Sequence, residues 1–256
     1  MFDCRHDLLR PELGEQQYLE SHIPGALFAR LDHDLASLRD GRNGRHPLPY
    51  LGAFLAWVGQ QGLKPADQAV CYDAGGGVTA ARLWWMLRWI GHESVAVLDG
   101  GFAKWRAEGR PTTAAIPRYE HSTYPARQRT GGAVGALFVE RNREQVVLLD
   151  ARAPERFRGE KEPIDRVAGH IPGAKNRFCN DNLTPQGTFK SADVLRREFA
   201  ELLGSTPPST VVNYCGSGVA ACHNLLAMEI AGLPGAKLYP GSWSDWITDP
   251  KRPIGR

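Results

Sequence analysis

The stretch NYCGSGVAACHN, residues 213–224, sets Cys215 between an apolar strand-like run and a helical pattern, with Gly216, Ser217 and Gly218 beside it. A cysteine is a strong nucleophile only as its thiolate, so its surroundings decide whether it reacts or simply packs. Glycines at 216 and 218 admit backbone conformations closed to other residues and turn successive N–H groups inward. Those N–H groups, with the positive end of a helix beginning near Val219, make an anion cradle in which a thiolate is favoured. Cys215 therefore reads as a nucleophile, with Gly216, Gly218 and Val219 shaping its loop. Cys71, Cys179 and Cys222 read as small buried hydrophobes. Cys222 and His223 come later, on the helix, and are not spaced as a catalytic dyad with Cys215.

Composition narrows the partners. The chain has 256 residues and a formal charge of only +3, with its charges well mixed, so it offers no basic stripe for nucleic acid. No apolar run approaches the roughly 20 residues that span a bilayer, and the start MFDCRHDLLRPEL is charged where a secretion signal is apolar. A soluble, cytoplasmic protein without membrane contact is expected. The five cysteines are an odd number without a C-x-x-C pair, which suggests reduced thiols rather than a disulfide framework or a zinc site. Neither metal nor cofactor is called for.

The elements that must hold the cysteine occur twice. HIPGA stands at 22–26 and again at 170–174; DCR at 3–5 is echoed by DAR at 150–152, and DGGFAKW at 99–105 by PGSWSDW at 240–246. Three correspondences in one order indicate a duplication. In the second half, VVLLD (146–150) and TVVNY (210–214) read as strands. SADVLRREFAELLG (191–204) and GVAACHNLLAMEIAG (218–232) read as helices, and AKLYPG as a final short strand. The first half offers LGAFLAWVGQQGL, QAVCYD, VTAARLWWMLRWIGH and SVAVLDGG in the same roles. Strands alternating with helices predict an α/β fold with one helix-flanked parallel sheet per half. The expected domains are 1–115 and 133–256. The linker is 116–132, within a proline-rich aperiodic stretch that starts near 110. The first half has only Met1 and Phe2 ahead of Asp3, so its first strand is expected to be clipped or to begin further upstream.

Two tandem halves, each with Asp-x-Arg, His-Ile-Pro-Gly-Ala and a late Trp element, resemble the rhodanese-like sulfurtransferases over essentially the whole chain. The loop Cys-Gly-Ser-Gly-Val is similar to that of the 3-mercaptopyruvate sulfurtransferases. Thiosulfate-preferring relatives typically carry cationic residues inside this loop, and here there are none. The family's threonine after Val219 is replaced by Ala220. The resemblance implies a persulfide carried on Cys215 and a silent first domain supplying one wall of the site. In YDAGGGVTA the cysteine's place falls on Asp73 when aligned from the strand and on Ala74 when aligned from the helix. It also implies that Ser217 works with His46 of GRHPLP and Asp32 of RLDHDL to move a proton. The family's carboxylate-gripping arginines match Arg156 and, with a shorter intervening segment, Arg166; Arg158 is a fallback expected to face solvent. Trp243 is expected at the pocket rim, with core packing as the alternative. Asp150, Arg152, His22 and His170 are expected to be structural.

The activity implied by the resemblance is transfer of sulfur from 3-mercaptopyruvate to a thiol or cyanide acceptor, with a thioredoxin-like protein among the candidate acceptors. Thiosulfate is the rival donor. A cysteine phosphatase would also use a nucleophile in an anion cradle, but needs an arginine where Ala221 stands. A sulfur-relay or interaction protein is the non-turnover alternative.

Overall fold

The computed structural model describes residues 1–125 and 130–256. Part of the expected linker, 126–129, lies outside the described residues. The chain divides into two compact units. The first comprises Met1–Leu38, Leu48–Thr130 and Pro185–Thr188; the second comprises Arg39–Pro47, Gly131–Thr184 and Phe189–Arg256. The segment 39–47, which contains His46, thus belongs to the second unit although it lies in the first half of the sequence.

The first unit runs β1 (Phe2–Asp3), α1 (Glu12–Glu20), β2 (Leu27–Phe28), α2 (Leu51–Gln60), β3 (Ala69–Tyr72), α3 (Val78–Trp89), β4 (Val95–Val97) and α4 (Gly101–Ala107). The second runs α5 (Ala136–Asn142), β5 (Val147–Asp150), α6 (Pro154–Phe157), β6 (Lys175–Asn176), a 3₁₀ turn (Cys179–Asn182), α7 (Ala192–Leu203), β7 (Val211–Tyr214), α8 (Ala220–Ile230), β8 (Lys237–Leu238) and α9 (Ser242–Trp246). Among the described residues each unit holds a four-stranded parallel sheet, ordered β2-β1-β3-β4 and β6-β5-β7-β8. The α/β expectation holds for both halves. β1 has two residues and its counterpart β5 has four.

In the second unit the central strands bury both faces, as parallel strands between helix layers must. Leu148, Val212 and Tyr214 face one layer with Val139, Trp243 and Trp246, whereas Leu149 and Val211 face the other with Leu195, Phe199, Leu203, Ala227 and Met228. The spacing of Leu195, Phe199 and Leu203 is one stripe of α7, and each such buried side chain contributes about 2 kcal/mol. Ser191 caps the start of α7 through Val194 N–H, and Gly204, at φ 60°, closes it. Among the described residues no helix is long and apolar enough to cross a membrane.

The duplicated motifs share one physical task. Asp150 takes the backbone N–H and guanidinium of Arg152, which in turn donates to the Gly169 carbonyl at 2.7 Å, just ahead of His170. Tyr214 at the end of β7 accepts the Ile171 N–H at 3.2 Å. Asp3, Arg5, Ser21, Tyr72 and Ile23 repeat this arrangement in the first unit. His22 and His170 bind the carbonyls of Tyr18 and Phe157 through Nδ1, at 2.7 and 2.8 Å. Each motif thereby ties a turn to the carboxyl end of the sheet.

Candidate active site

The strand order of the second unit reverses direction between β5 and β7, and ligands of open parallel sheets bind outside the carboxyl ends of the strands at such a point. Cys215 comes directly after β7 there. Its side chain is buried, and Gly218 N–H donates to Sγ at 3.1 Å and Ser217 N–H at 3.5 Å. Gly218 has φ +78°, and a Cβ there would sit 2.3 Å from the Pro240 carbonyl oxygen, so the turn requires glycine. The turn into α9 grips the loop from the other side: Trp243 N–H donates to the Cys215 carbonyl and Ser244 N–H to that of Gly216, both at 2.9 Å. Cys215 N–H donates to Ser242 Oγ at 3.1 Å, and Ser242 Oγ–H donates to the Tyr239 carbonyl at 2.9 Å. Ser242 holds φ 55°, alone among the described non-glycine residues in the left-handed region.

Ser217 Oγ and His46 Nδ1 are 2.8 Å apart and both residues are buried. A hydroxyl and an imidazole in this contact can pass a proton to or from a group lying over the sulfur.

The rhodanese-like domain family matches residues 1–108 and 137–249 of the chain. This chain belongs to the rhodanese-like family. A Pseudomonas aeruginosa protein named "Probable 3-mercaptopyruvate sulfurtransferase" is 45% identical over 258 residues, covering 99% of this chain and 91% of that protein. The thiosulfate sulfurtransferase of Bos taurus is 35% identical over 241 residues, covering 91% and 79%. Among solved structures, the 3-mercaptopyruvate sulfotransferase SseA of Escherichia coli superposes with a TM-score of 0.80 at 30% identity, covering 95% of this chain and 92% of that one.

The rhodanese-like loop of the second unit is flanked by a row of alternating charges. Arg45 Nη1 meets Asp165 Oδ1 at 2.5 Å, Arg156 Nη2 meets Asp165 Oδ2 at 3.1 Å and Glu162 Oε1 at 2.7 Å, and Arg152 Nη1 meets Glu162 Oε2 at 3.3 Å before closing on Asp150. A Cβ built on Gly216 would lie 2.8 Å from Arg45 Nη2 and 3.6 Å from both Arg156 Nη2 and Asp165 Oδ2, so this row abuts the loop. Burial raises the cost of charge on Glu162, but Arg156 and the Asp165 N–H outweigh it and hold the carboxyl below its ordinary range. Burial, reinforced by the charge of Cys215, pushes the Cys179 thiol up to about 12, so Cys179 stays protonated at neutral pH.

The second unit holds most of the expected site residues. Cys215, Ser217, Gly216, Gly218, Val219, His46 and Arg156 all belong to the second unit around this loop. Arg166 is exposed and donates from Nη2 to the Ile247 carbonyl at 2.6 Å, just after α9, and Arg45 stands at Gly216. Arg158 faces solvent, paired with Glu160. Asp32 lies in the first unit, half-buried, on the wall of a cavity of about 320 Å³ that His6, Arg5 and Arg30 also line. Trp243 is not at a rim: it is fully buried, its Nε1–H donates to the Val167 carbonyl at 2.8 Å, and its ring lies 4.9 Å under the Arg152 guanidinium.

Arg45, Asp165, Glu162 and Ser242 were not singled out from the sequence. Arg45 adjoins His46 and Asp165 adjoins Arg166, so adjacency was the available signal. Nothing in the sequence told which member of each pair turns toward the loop.

Proposed function

We propose that this protein is a sulfurtransferase that takes sulfur from 3-mercaptopyruvate onto Cys215 and passes it to a thiol or cyanide acceptor. The observation that carries this reading is the Cys215 sulfur receiving loop N–H donors beside the Ser217–His46 contact. The Cys215 thiolate attacks the donor's sulfur, the carbon–sulfur bond breaks, and its electron pair stays on the methylene as a pyruvate enolate. Ser217, backed by His46, delivers the proton that turns the enolate into pyruvate. Asp32, which the family resemblance adds to this relay, belongs to the same proposal. Arg156 faces the donor's carboxylate. The persulfide left on Cys215 rests against the Ser217 and Gly218 N–H groups until an acceptor thiolate attacks its outer sulfur. A thioredoxin-like protein is one acceptor of that chemistry. The relatives' printed names support both mercaptopyruvate and thiosulfate as donors.

The choice between them rests on charge. Thiosulfate is a dianion, whereas the loop itself has no cationic residue and Asp165 and Glu162 already neutralise the neighbouring arginines. The domain limits 1–115 and 133–256 are part of this reading, with 116–132 as linker. The test compares pyruvate release from 3-mercaptopyruvate with thiocyanate formation from thiosulfate and cyanide, in wild type and Cys215→Ser. A mercaptopyruvate preference that vanishes in the variant is expected. A thiosulfate preference would refute the donor assignment, and activity surviving in Cys215→Ser would refute the nucleophile.

A further inference from the structure

Arg5 and Arg152 are the paired arginines of the duplicated Asp-x-Arg motif, and they differ at one nitrogen. In the second unit Arg152 gives Nε and Nη2 to Asp150, Nη2 also to the Gly169 carbonyl, and Nη1 to Glu162 at 3.3 Å. In the first unit Arg5 gives Nε and Nη2 to Asp3 and Nη2 also to the Ser21 carbonyl, but its Nη1 makes no hydrogen bond among the described residues. The two side chains are equally committed to the sheet, at 5% and 1% exposure. Only the first unit leaves an arginine nitrogen without a carboxylate from its own chain.

A cavity of about 330 Å³, lined wholly by first-unit residues, lies beside this guanidinium. The Arg5 guanidinium rests 4.2 Å over the Phe102 ring and is bound to Ser21, and Phe102 and Ser21 both line the cavity, which puts the donor at its wall. Ala74, in the turn after β3, lines it too, so the cavity stands at the carboxyl end of the sheet, where open parallel sheets take ligands. Phe102 N–H holds the Asp73 carbonyl as Trp243 N–H holds that of Cys215, so a phenyl ring fills the place of a larger indole and leaves more room. Phe102, Ala74 and Ala103 offer a wall for a short carbon body. Charge selects the rest of the ligand. Arg106, exposed on α4 and without a side-chain hydrogen bond or ion pair among the described residues, brings a second guanidinium to the cavity, and Gln17 brings an amide. Asp3 already balances Arg5, and Glu20 on the same wall offsets Arg106. Two guanidinium groups can therefore hold one carboxylate, while a dianion meets too little net positive charge.

We propose that this first-unit cavity is a binding site for a small monocarboxylate, whose carboxylate takes at Arg5 Nη1 the place that the Glu162 carboxylate holds at Arg152 Nη1. The second unit supplies the acceptor from its own chain, and the first unit takes it from a ligand. The site is separate from the chemistry at Cys215 and does not depend on which sulfur donor the second unit uses.

The experiment titrates sodium propionate into the isotope-labelled full chain and follows backbone amide and arginine side-chain resonances by NMR, with sodium sulfate at equal ionic strength as the dianion. Propionate is expected to give saturable shifts at the Arg5 side chain, the Gln17 side-chain amide, Ala74 and Ala103, which sulfate does not reproduce. Arg106→Ala is expected to weaken propionate binding about tenfold. Ala103→Trp, which fills the cavity, is expected to abolish the shifts at Arg5 and Gln17. Both positions are exposed, and thermal melts check that the variants fold. Absence of a saturable shift at these residues overturns the proposal, as does equal binding of sulfate or an unchanged affinity for propionate in both variants.

Discussion

The two units place different residues at one structural position. Tyr72 pairs with Asp3 across the first sheet as Tyr214 pairs with Asp150 across the second, which puts Asp73 where Cys215 stands and settles the alignment from the strand side. Phe102 N–H donates to the Asp73 carbonyl at 2.8 Å and Ala103 N–H to that of Ala74 at 2.9 Å, matching Trp243 and Ser244 on Cys215 and Gly216. In the first unit the Asp73 carboxylate accepts from the N–H groups of Gly75, Gly77 and Thr79 at 3.0 Å, from Ala80 N–H at 3.3 Å, and from Thr79 Oγ1 at 3.2 Å. The cradle has been kept and filled with a fixed carboxyl side chain, which burial pushes above the ordinary carboxylate range against the N–H donors that favour its charge. In the second unit the same place holds the Cys215 sulfur, which accepts from the N–H groups of Ser217 and Gly218. On the proposed function, what separates the two copies is whether the group in the nest can carry a transferable sulfur, and the nest itself is common to both.

Cys215→Asp would install the silent residue in the active loop and is the harshest way to probe this comparison. Sulfur transfer is expected to fall by about a thousandfold or more, to background, with thermal stability nearly kept because a carboxylate suits the same donors. The reverse change, Asp73→Cys, should yield no transfer, since Gly75 occupies the place of Ser217. Pyruvate release together with thermal melts checks both, and transfer appearing in Asp73→Cys would show that the nest alone suffices.

The sheets, the main helices and the duplication were legible because they arise from periodicity and from repeated motifs. Cys215 could be singled out as a candidate nucleophile because the glycines around it mark a tight strand-to-helix turn rather than a core position. Arg45 was not, because it lies in the first half of the chain yet belongs to the second unit, and sequence distance conceals that. Arg166 was matched only through the family resemblance, and the segment before it gives no physical signal for where its long side chain points. Trp243 was ambiguous because an aromatic residue in a Gly-Ser-Trp turn serves equally as rim or core, and burial beneath Arg152 is a tertiary fact.

The second contrast lies in the Asp-x-Arg pairs. Arg5 is bonded to Asp3 and the Ser21 carbonyl, whereas Arg152 also continues through Glu162 to Arg156, Asp165 and Arg45. Glu162→Gln cuts that row at its centre and leaves buried guanidinium groups under-compensated, which should cost about 3 kcal/mol at neutral pH. The pH dependence has a definite sign. Because the folded-state pKa of Glu162 lies below its unfolded value, its contribution is present above the ordinary glutamate range and is lost as pH falls through the depressed folded value. The stability gap between wild type and Glu162→Gln, measured by urea unfolding across acidic pH, should therefore narrow on acidification. A gap independent of pH would mean that the row carries no linked charge.

The smallest effect tests the finest difference between the loops. The residue before Trp243 is Ser242 at φ 55°, and the residue before Phe102 is Gly101 at φ 57°, so the two units share a left-handed φ at this place and only the second bears the cost of a side chain there. That cost, about 1–2 kcal/mol for a non-glycine residue, persists only if the side chain returns something. What it returns is the hydroxyl that accepts Cys215 N–H and holds the start of the loop. Ser242→Gly relieves the strain and loses the hydroxyl, so stability should stay within about 1 kcal/mol of wild type, while sulfur transfer drops roughly tenfold because the nucleophile's backbone is no longer pinned. Ser242→Ala keeps the strain without the hydrogen bonds and should be the less stable of the two by about 1–2 kcal/mol. If Ser242→Gly retains full activity, the strained serine does not position the nucleophile, and the difference between Ser242 and Gly101 is a difference in packing alone.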